Sequence, residues 1–253
     1  MKKYIYIDEC GDPEFFGNRG KLLVGKEGFQ PLLMIGMIIT ENRRALWESV
    51  TNFSKLIKSD ELYNSIHSVK DDGWYLHAKD DYPDIRTKFF DNLRYLDGYE
   101  THIIIGRKKL DIFTDKHNSN SSEFYFDLIH HLLKGKLDDH ENEYELFLAL
   151  RQRNNLDEFR SAVKKAIKEI SQSDKTIKYN CNIVKSEFTP EMSIIDYKLW
   201  ALHRYIIKKE ERFYFALKKK YYGIYDIYDS TNKGGKKYTL EDPFDLSKAE
   251  EFL

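Results

Sequence analysis

The chain has 253 residues, 15% aromatic and 33% charged, which is enough to bury one well-packed core without a second domain. Forty-one Lys and Arg against 42 Asp and Glu leave a net charge of -1, so global attraction to nucleic acid is excluded and any such contact needs a local basic patch. With Cys10 and Cys181 alone there is no disulfide framework, and a reducing cytoplasm is the expected location.

Residues Tyr4 to Ile7 are β-branched or aromatic without a break and read as a strand buried on both faces. It runs into Asp8 and Glu9 and then a turn marked by Gly11, Asp12 and Pro13. Carboxylates at the end of a buried strand are costly unless a cation meets them, and a hard divalent ion prefers such oxygens. Side chains alternate along a strand, so Asp8 shares a face with Tyr4 and Tyr6, and Glu9 shares the other with Ile5 and Ile7. Asp8 is therefore the candidate ligand, with Asp12 returning to that face through the turn; a solvated acidic turn is the alternative. The amino terminus has a strand pattern and no small-residue cleavage site.

Residues 15–28 read as a loop or loose hairpin, and Pro31 to Thr40 as a second buried strand, antiparallel to the first across that short connection. That apolar run is too short to span a bilayer, so no membrane partner is expected. Glu41 to Lys58 has helical spacing at Leu46, Val50, Phe53 and Ile57. A polar stretch with Trp74-Tyr-Leu-His-Ala-Lys-Asp-Asp81 precedes a helix over Asp84 to Leu96. Next come a strand over Thr101 to Leu110, a loop at Asn118 to Ser122 with capping serines, and a helix to Leu133. Tyr144 to Leu150 is a strand, Leu156 to Ile170 a helix, and Ile177 to Val184 a strand.

Thr189-Pro190-Glu191 reads as a helix start, with Thr as N-cap and Pro at the first helical position. In that helix Ile195, Leu199, Leu202 and Ile206 form an apolar stripe. Asp196, Trp200, His203 and Ile207 lie about 100° further round, at the rim of the buried face. Asp196 could thus approach the carboxyl end of the first strand; a solvated helix aspartate is the other reading. Glu211 to Tyr222 reads as a further helix, and the end after Ser230 as partly ordered. The alternation predicts an α/β fold, a mixed β-sheet flanked by helices, with residues 1–210 as the domain and 211–253 a helical C-terminal extension packed on it.

His77 is a candidate proton carrier or substrate contact, and equally a structural histidine. Arg151, Arg153 and Lys185 fall at strand ends, where they could meet phosphates. No GxGxxG, P-loop or GxSxG motif is present. Cys10, beside two acids, is badly placed for a low-pKa thiol, and two isolated cysteines do not make a zinc site.

Residues 6–12, Tyr-Ile-Asp-Glu-Cys-Gly-Asp, resemble the Tyr-Ile-Asp-Glu-Ser-Gly-Asp opening of the domain-of-unknown-function 3800 family. Leu76-His77-Ala78, with Asp80, Arg86 and Phe89-Phe90, is similar to its His-Ala segment. Ser193 to Arg204 resembles its Gln-x-x-Asp-Tyr helix, and Glu211-Arg-Phe-Tyr214 and Tyr225-Asp-Ile-Tyr-Asp229 its downstream segment. Cys10 stands where Ser is usual and Ser193 where Gln is usual; neither change removes an acid.

The resemblance implies a ribonuclease H-like fold with Asp8 and Asp196 as a shared acidic pair, and a nuclease or phosphodiesterase dependent on Mg²⁺ or Mn²⁺. Glu9 or Asp12 would complete the shell, Glu187 is a further possible ligand, and His77 would assist. Arg151, Arg153 and Lys185 would face nucleic acid, DNA or RNA. No acid lies within Thr101 to Gly106, where a middle ligand would be expected. A catalytically silent module that binds nucleic acid, or a partner protein in a defence or mobile-element system, is the alternative. A homo-oligomer is compatible with either.

Overall fold

The computed structural model describes residues 1–252 apart from 138, 151–155, 171–176 and 233, and the backbone alone at 169 and 170. In chain order the main elements are β1 (Lys2–Cys10), β2 (Leu32–Thr40), α1 (Arg43–Ser59), α2 (His67–Lys70), α3 (Pro83–Tyr95), β3 (Glu100–Arg107), α4 (Leu110–His117) and α5 (Ser121–Leu133). They continue with β4 (Glu143–Ala149), α6 (Leu156–Ile170), β5 (Lys178–Val184), α7 (Met192–Lys208), α8 (Glu211–Leu217), β6 (Gly223–Asp226) and β7 (Lys236–Tyr238).

The strands form one sheet of seven in the order β5-β4-β1-β2-β3-β6-β7. β1 pairs antiparallel with β2, as the short connection predicts, and β2 antiparallel with β3. β4 is parallel to β1, β5 to β4 and β6 to β3, while β7 closes the far edge antiparallel to β6. The core order β3-β2-β1-β4-β5, a three-strand meander followed by two strands parallel to β1, is a ribonuclease H-like sheet.

The strand alternation sorts the core into two layers. Tyr6, Met34, Ile38, Ile103 and Ile105 face α1, α3 and α7, and Ile5, Ile7, Ile35, Ile104 and Leu148 face α5 and α6. Local signals set the helix starts. Asn42 caps α1 by accepting from the Ala45 N–H, and Asn120 caps α5 by accepting from the Ser122 and Glu123 N–H groups.

Three boundaries differ from the sequence reading. The third strand ends at Arg107 rather than Leu110, because the Lys109 N–H turns back to the Arg107 carbonyl and α4 starts at Leu110. The aspartate-bearing helix begins at Met192; Thr189 and Pro190 form the turn before it, their carbonyls accepting from the Met192 and Ser193 N–H groups. The helix read over Glu211 to Tyr222 ends at Leu217, and β6 and β7 then lengthen the sheet. The end is held where partial order was expected. Phe244 is buried against Tyr238, and Arg107 bonds Asp226 and the Glu250 and Glu251 carbonyls.

The placement of α7 matters most for the site. Gly36 lies opposite Asp8 across β1 and β2, and a Cβ there would stand 2.6 Å from Ile195 Cδ1. Its bare backbone lets α7 settle onto the sheet beside the end of β1. From the far side, buried Lys198 ties α7 to β3 through Thr101 Oγ1 at 2.7 Å and to the extension through the Lys220 carbonyl at 2.8 Å.

Candidate metal and nucleic-acid site

Asp8 is the first residue of β1 after its apolar run and is 4% exposed, on the α7 side of the sheet. Its Oδ1 accepts from the Glu9 N–H at 2.8 Å. Beyond the carboxyl ends of β1, β4 and β5 opens a cleft of about 230 Å³ lined by Asp8, Tyr75, His77, Leu150, Lys185 and Glu187. A crevice outside the carboxyl ends of parallel strands is where open α/β sheets bind ligands.

Asp196 stands behind His77. Its Oδ2 accepts from the Ala78 N–H at 2.7 Å, and its Oδ1 lies 3.7 Å from His77 Nε2. On the other side of the His77 ring, Asp80 Oδ2 lies 2.7 Å from Nδ1, a charge contact without hydrogen-bond geometry. Burial pushes the Asp196 carboxyl up to about 7; His77 opposes that rise, and the nearby charge of Asp8 adds to it. The structure thus brings the two distant acids of the sequence reading into electrostatic contact, with one imidazole alongside.

The loop carrying His77 is fixed by residues that local spacing did not single out. Buried Asp81 accepts from the His77 N–H at 2.9 Å and from the Tyr197 hydroxyl. Arg86 Nε donates to the Ala78 carbonyl at 2.6 Å, and its guanidinium stacks 4.6 Å over the Trp200 ring. Successive residues of α7, Asp196 and Tyr197, therefore clamp one loop from two sides. Below the site, fully buried Glu191 takes the Tyr6 hydroxyl at 2.9 Å and Arg43 Nε at 3.0 Å, a third buried acid that was not anticipated.

The other sequence candidates separate. Glu9 points to the opposite layer, where the Tyr125 hydroxyl donates to its Oε2, as the alternation along β1 requires. Asp12 is exposed in the turn and accepts from the Glu14 N–H at 2.7 Å, so it does not return to the cleft. Lys185 sits on the rim, 58% exposed and 3.3 Å from Glu187. Arg151 and Arg153 lie outside the described residues. Neither cysteine is in a disulfide, and burial raises Cys181 to about 11, which suits a packed residue rather than a nucleophile.

Asp8 and Glu187 present carboxylate oxygens to the cleft, the donors a hard divalent cation prefers, beside His77, Tyr75, Ser186 and Lys185, while Asp196 lies behind His77 and outside the lining. Asp8 and Asp196 would hold such a cation, and Glu187 lines the cleft without coming within coordinating distance of both. Among the described residues, no third acid or imidazole lies within coordinating reach of both Asp8 and Asp196.

No family model matches the chain, and no curated protein matches it. Among solved structures it is similar to the ribonuclease H2 from Pyrococcus horikoshii OT3, at a TM-score of 0.47 and 13% identity over 87% of this chain and 80% of that one. Strand order and cleft together make this an α/β protein with a ribonuclease H-like mixed sheet flanked by helices, and with an acidic pair, buried Asp8 and partly buried Asp196, at the carboxyl end of its central strand. No described helix is long and apolar enough to cross a membrane.

Proposed function

We propose that the cleft is a divalent-metal-dependent nuclease centre, hydrolysing phosphodiester bonds of nucleic acid. One observation carries this reading: the fold brings two carboxylates 188 residues apart in the chain, buried Asp8 and partly buried Asp196, into electrostatic contact next to a cleft open to solvent. A Mg²⁺ or Mn²⁺ ion held there would neutralise the pair and polarise a phosphoryl oxygen. Lys185 stands where a backbone phosphate would enter. The resemblance to the domain-of-unknown-function 3800 family supports the same reading, because its motifs fall on Asp8, His77 and Asp196.

A second reading is a silent module that binds nucleic acid or a partner protein, and the two-acid count at the cleft favours it. Titration of Mn²⁺ into the wild type, Asp8→Ala and Asp196→Ala, followed by nuclease assays on single- and double-stranded DNA and RNA, separates the two. Binding and cleavage in the wild type, lost in both variants, support the nuclease. Nucleic-acid binding with no metal dependence and no cleavage would establish the silent module.

A further inference from the structure

On the opposite layer of the sheet, α5 presents Asp127, His130 and His131 at the i, i+3 and i+4 positions, which meet on one helix face. Asp127 Oδ1 lies 3.8 Å from His130 Nδ1 and 3.6 Å from His131 Nε2, and one donor atom from each residue falls within 4.8 Å of the others. Metal–ligand bonds of about 2.0–2.1 Å place tetrahedral donors roughly 3.3–3.5 Å apart, so small side-chain rotations close the set around one ion.

A second, independent feature is the support behind the carboxylate. Lys116 of α4 holds Asp127 Oδ2 at 2.8 Å, and the Tyr228 hydroxyl from the C-terminal extension approaches the same oxygen at 3.5 Å. That hydroxyl is itself fixed by His117 Nε2 at 2.9 Å. The outer oxygen is thereby tethered, and the inner one is turned toward both imidazoles. Orienting partners of this kind are what ligating carboxylates require. The cluster opens into a cavity of about 420 Å³ between α4, α5 and α6, leaving room for a further ligand.

We propose that Asp127, His130 and His131 form a Zn²⁺ site, separate from the acidic cleft and independent of the nuclease reading. Two imidazoles and one carboxylate with an open fourth position suit Zn²⁺ and are a poor match for Mg²⁺, which takes oxygen ligands. Among the described residues, the cation that competes for the inner oxygen is Lys165 of α6, 3.7 Å away and 58% exposed, which can swing into solvent when an ion enters.

The test is calorimetric titration of Zn²⁺ into the full chain carrying Asp8→Asn and Asp196→Asn to silence the cleft, with Co²⁺ as a visible-absorption probe. Expected are one equivalent of Zn²⁺ bound, a tetrahedral Co²⁺ band, and no competition from excess Mg²⁺. His131→Gln, whose ring is partly exposed, should weaken Zn²⁺ at least tenfold while leaving metal-free melting unchanged. Lys165→Met should tighten it several-fold by removing the competing cation. No Zn²⁺ binding, binding that survives His131→Gln, or an affinity that Lys165→Met leaves unchanged would each overturn the proposal.

Discussion

The Asp196 carboxyl offers the sharpest test of the acidic pair. Its value in the folded chain is raised to about 7 by burial and by Asp8, and its side chain is 17% exposed. An acid raised on folding binds more protons folded than unfolded, so its contribution is fully present below the unfolded value and is lost as pH climbs through the folded one. One pKa unit is worth 1.36 kcal/mol, so the loss between about pH 5 and about pH 8.5 is roughly 2–3 kcal/mol. Asp196→Asn keeps an oxygen for the Ala78 N–H but carries no charge to bury. Urea unfolding of both proteins across this range should show the variant gaining that amount on the wild type as pH rises. Taking the difference cancels the titrating groups that do not interact with Asp196, leaving Asp196 and its neighbours Asp8, His77 and Asp81. At high pH, millimolar Mn²⁺ should restore the wild type and leave the variant unmoved, because the ion binds only the folded, doubly charged pair. Parallel pH profiles for the two proteins would refute the coupled pair and the metal reading built on it.

Gly36→Ala should make Ile195 and Leu199 repack or shift α7, costing about 1–3 kcal/mol in denaturant melts and weakening Mn²⁺ at the cleft; an unchanged melt would show that α7 does not depend on that close approach. Asp226→Asn removes one partner of the buried pair with Arg107 and should cost about 3–5 kcal/mol, with limited proteolysis moving to residues after 223; a wild-type digest would count against the anchoring of the extension. Phe188, 75% exposed beside the cleft, is placed to stack a base. Phe188→Ala should therefore lower single-stranded nucleic-acid affinity by about 1–3 kcal/mol in fluorescence titrations, with metal binding unaffected. His77→Gln should reduce cleavage by about 10²-fold or more while Mn²⁺ affinity stays within a few-fold; equal loss of both would make His77 a ligand rather than a proton carrier.

Much of this was legible in the residues because it is periodic. Two-residue alternation alone put Asp8 and Glu9 on opposite faces of β1, and the structure finds one in the cleft and the other against Tyr125. The 3.6-residue period likewise put Asp196 at the rim of a buried stripe whose members Ile195, Leu199, Leu202 and Ile206 are all in the core. Periodicity reports which way a side chain points relative to its own element, and a single sequence carries that information locally.

What a side chain meets there depends on which elements pack together, and that was decided by tertiary structure alone. Asp81 looked like one more acid in a polar stretch until Tyr197, far along the chain, closed on it. Asp12 needed a turn path that the backbone does not take, since its carboxylate is engaged at Glu14 instead. The Asp127, His130 and His131 spacing was present in the sequence, but an ordinary solvated helix face has the same spacing. Lys116 and Tyr228, supplied by α4 and the C-terminal extension, orient that carboxylate. Burial and charge meet at such points only once the sheet has gathered its helices, because those free energies depend on contacts between residues that the chain order keeps apart.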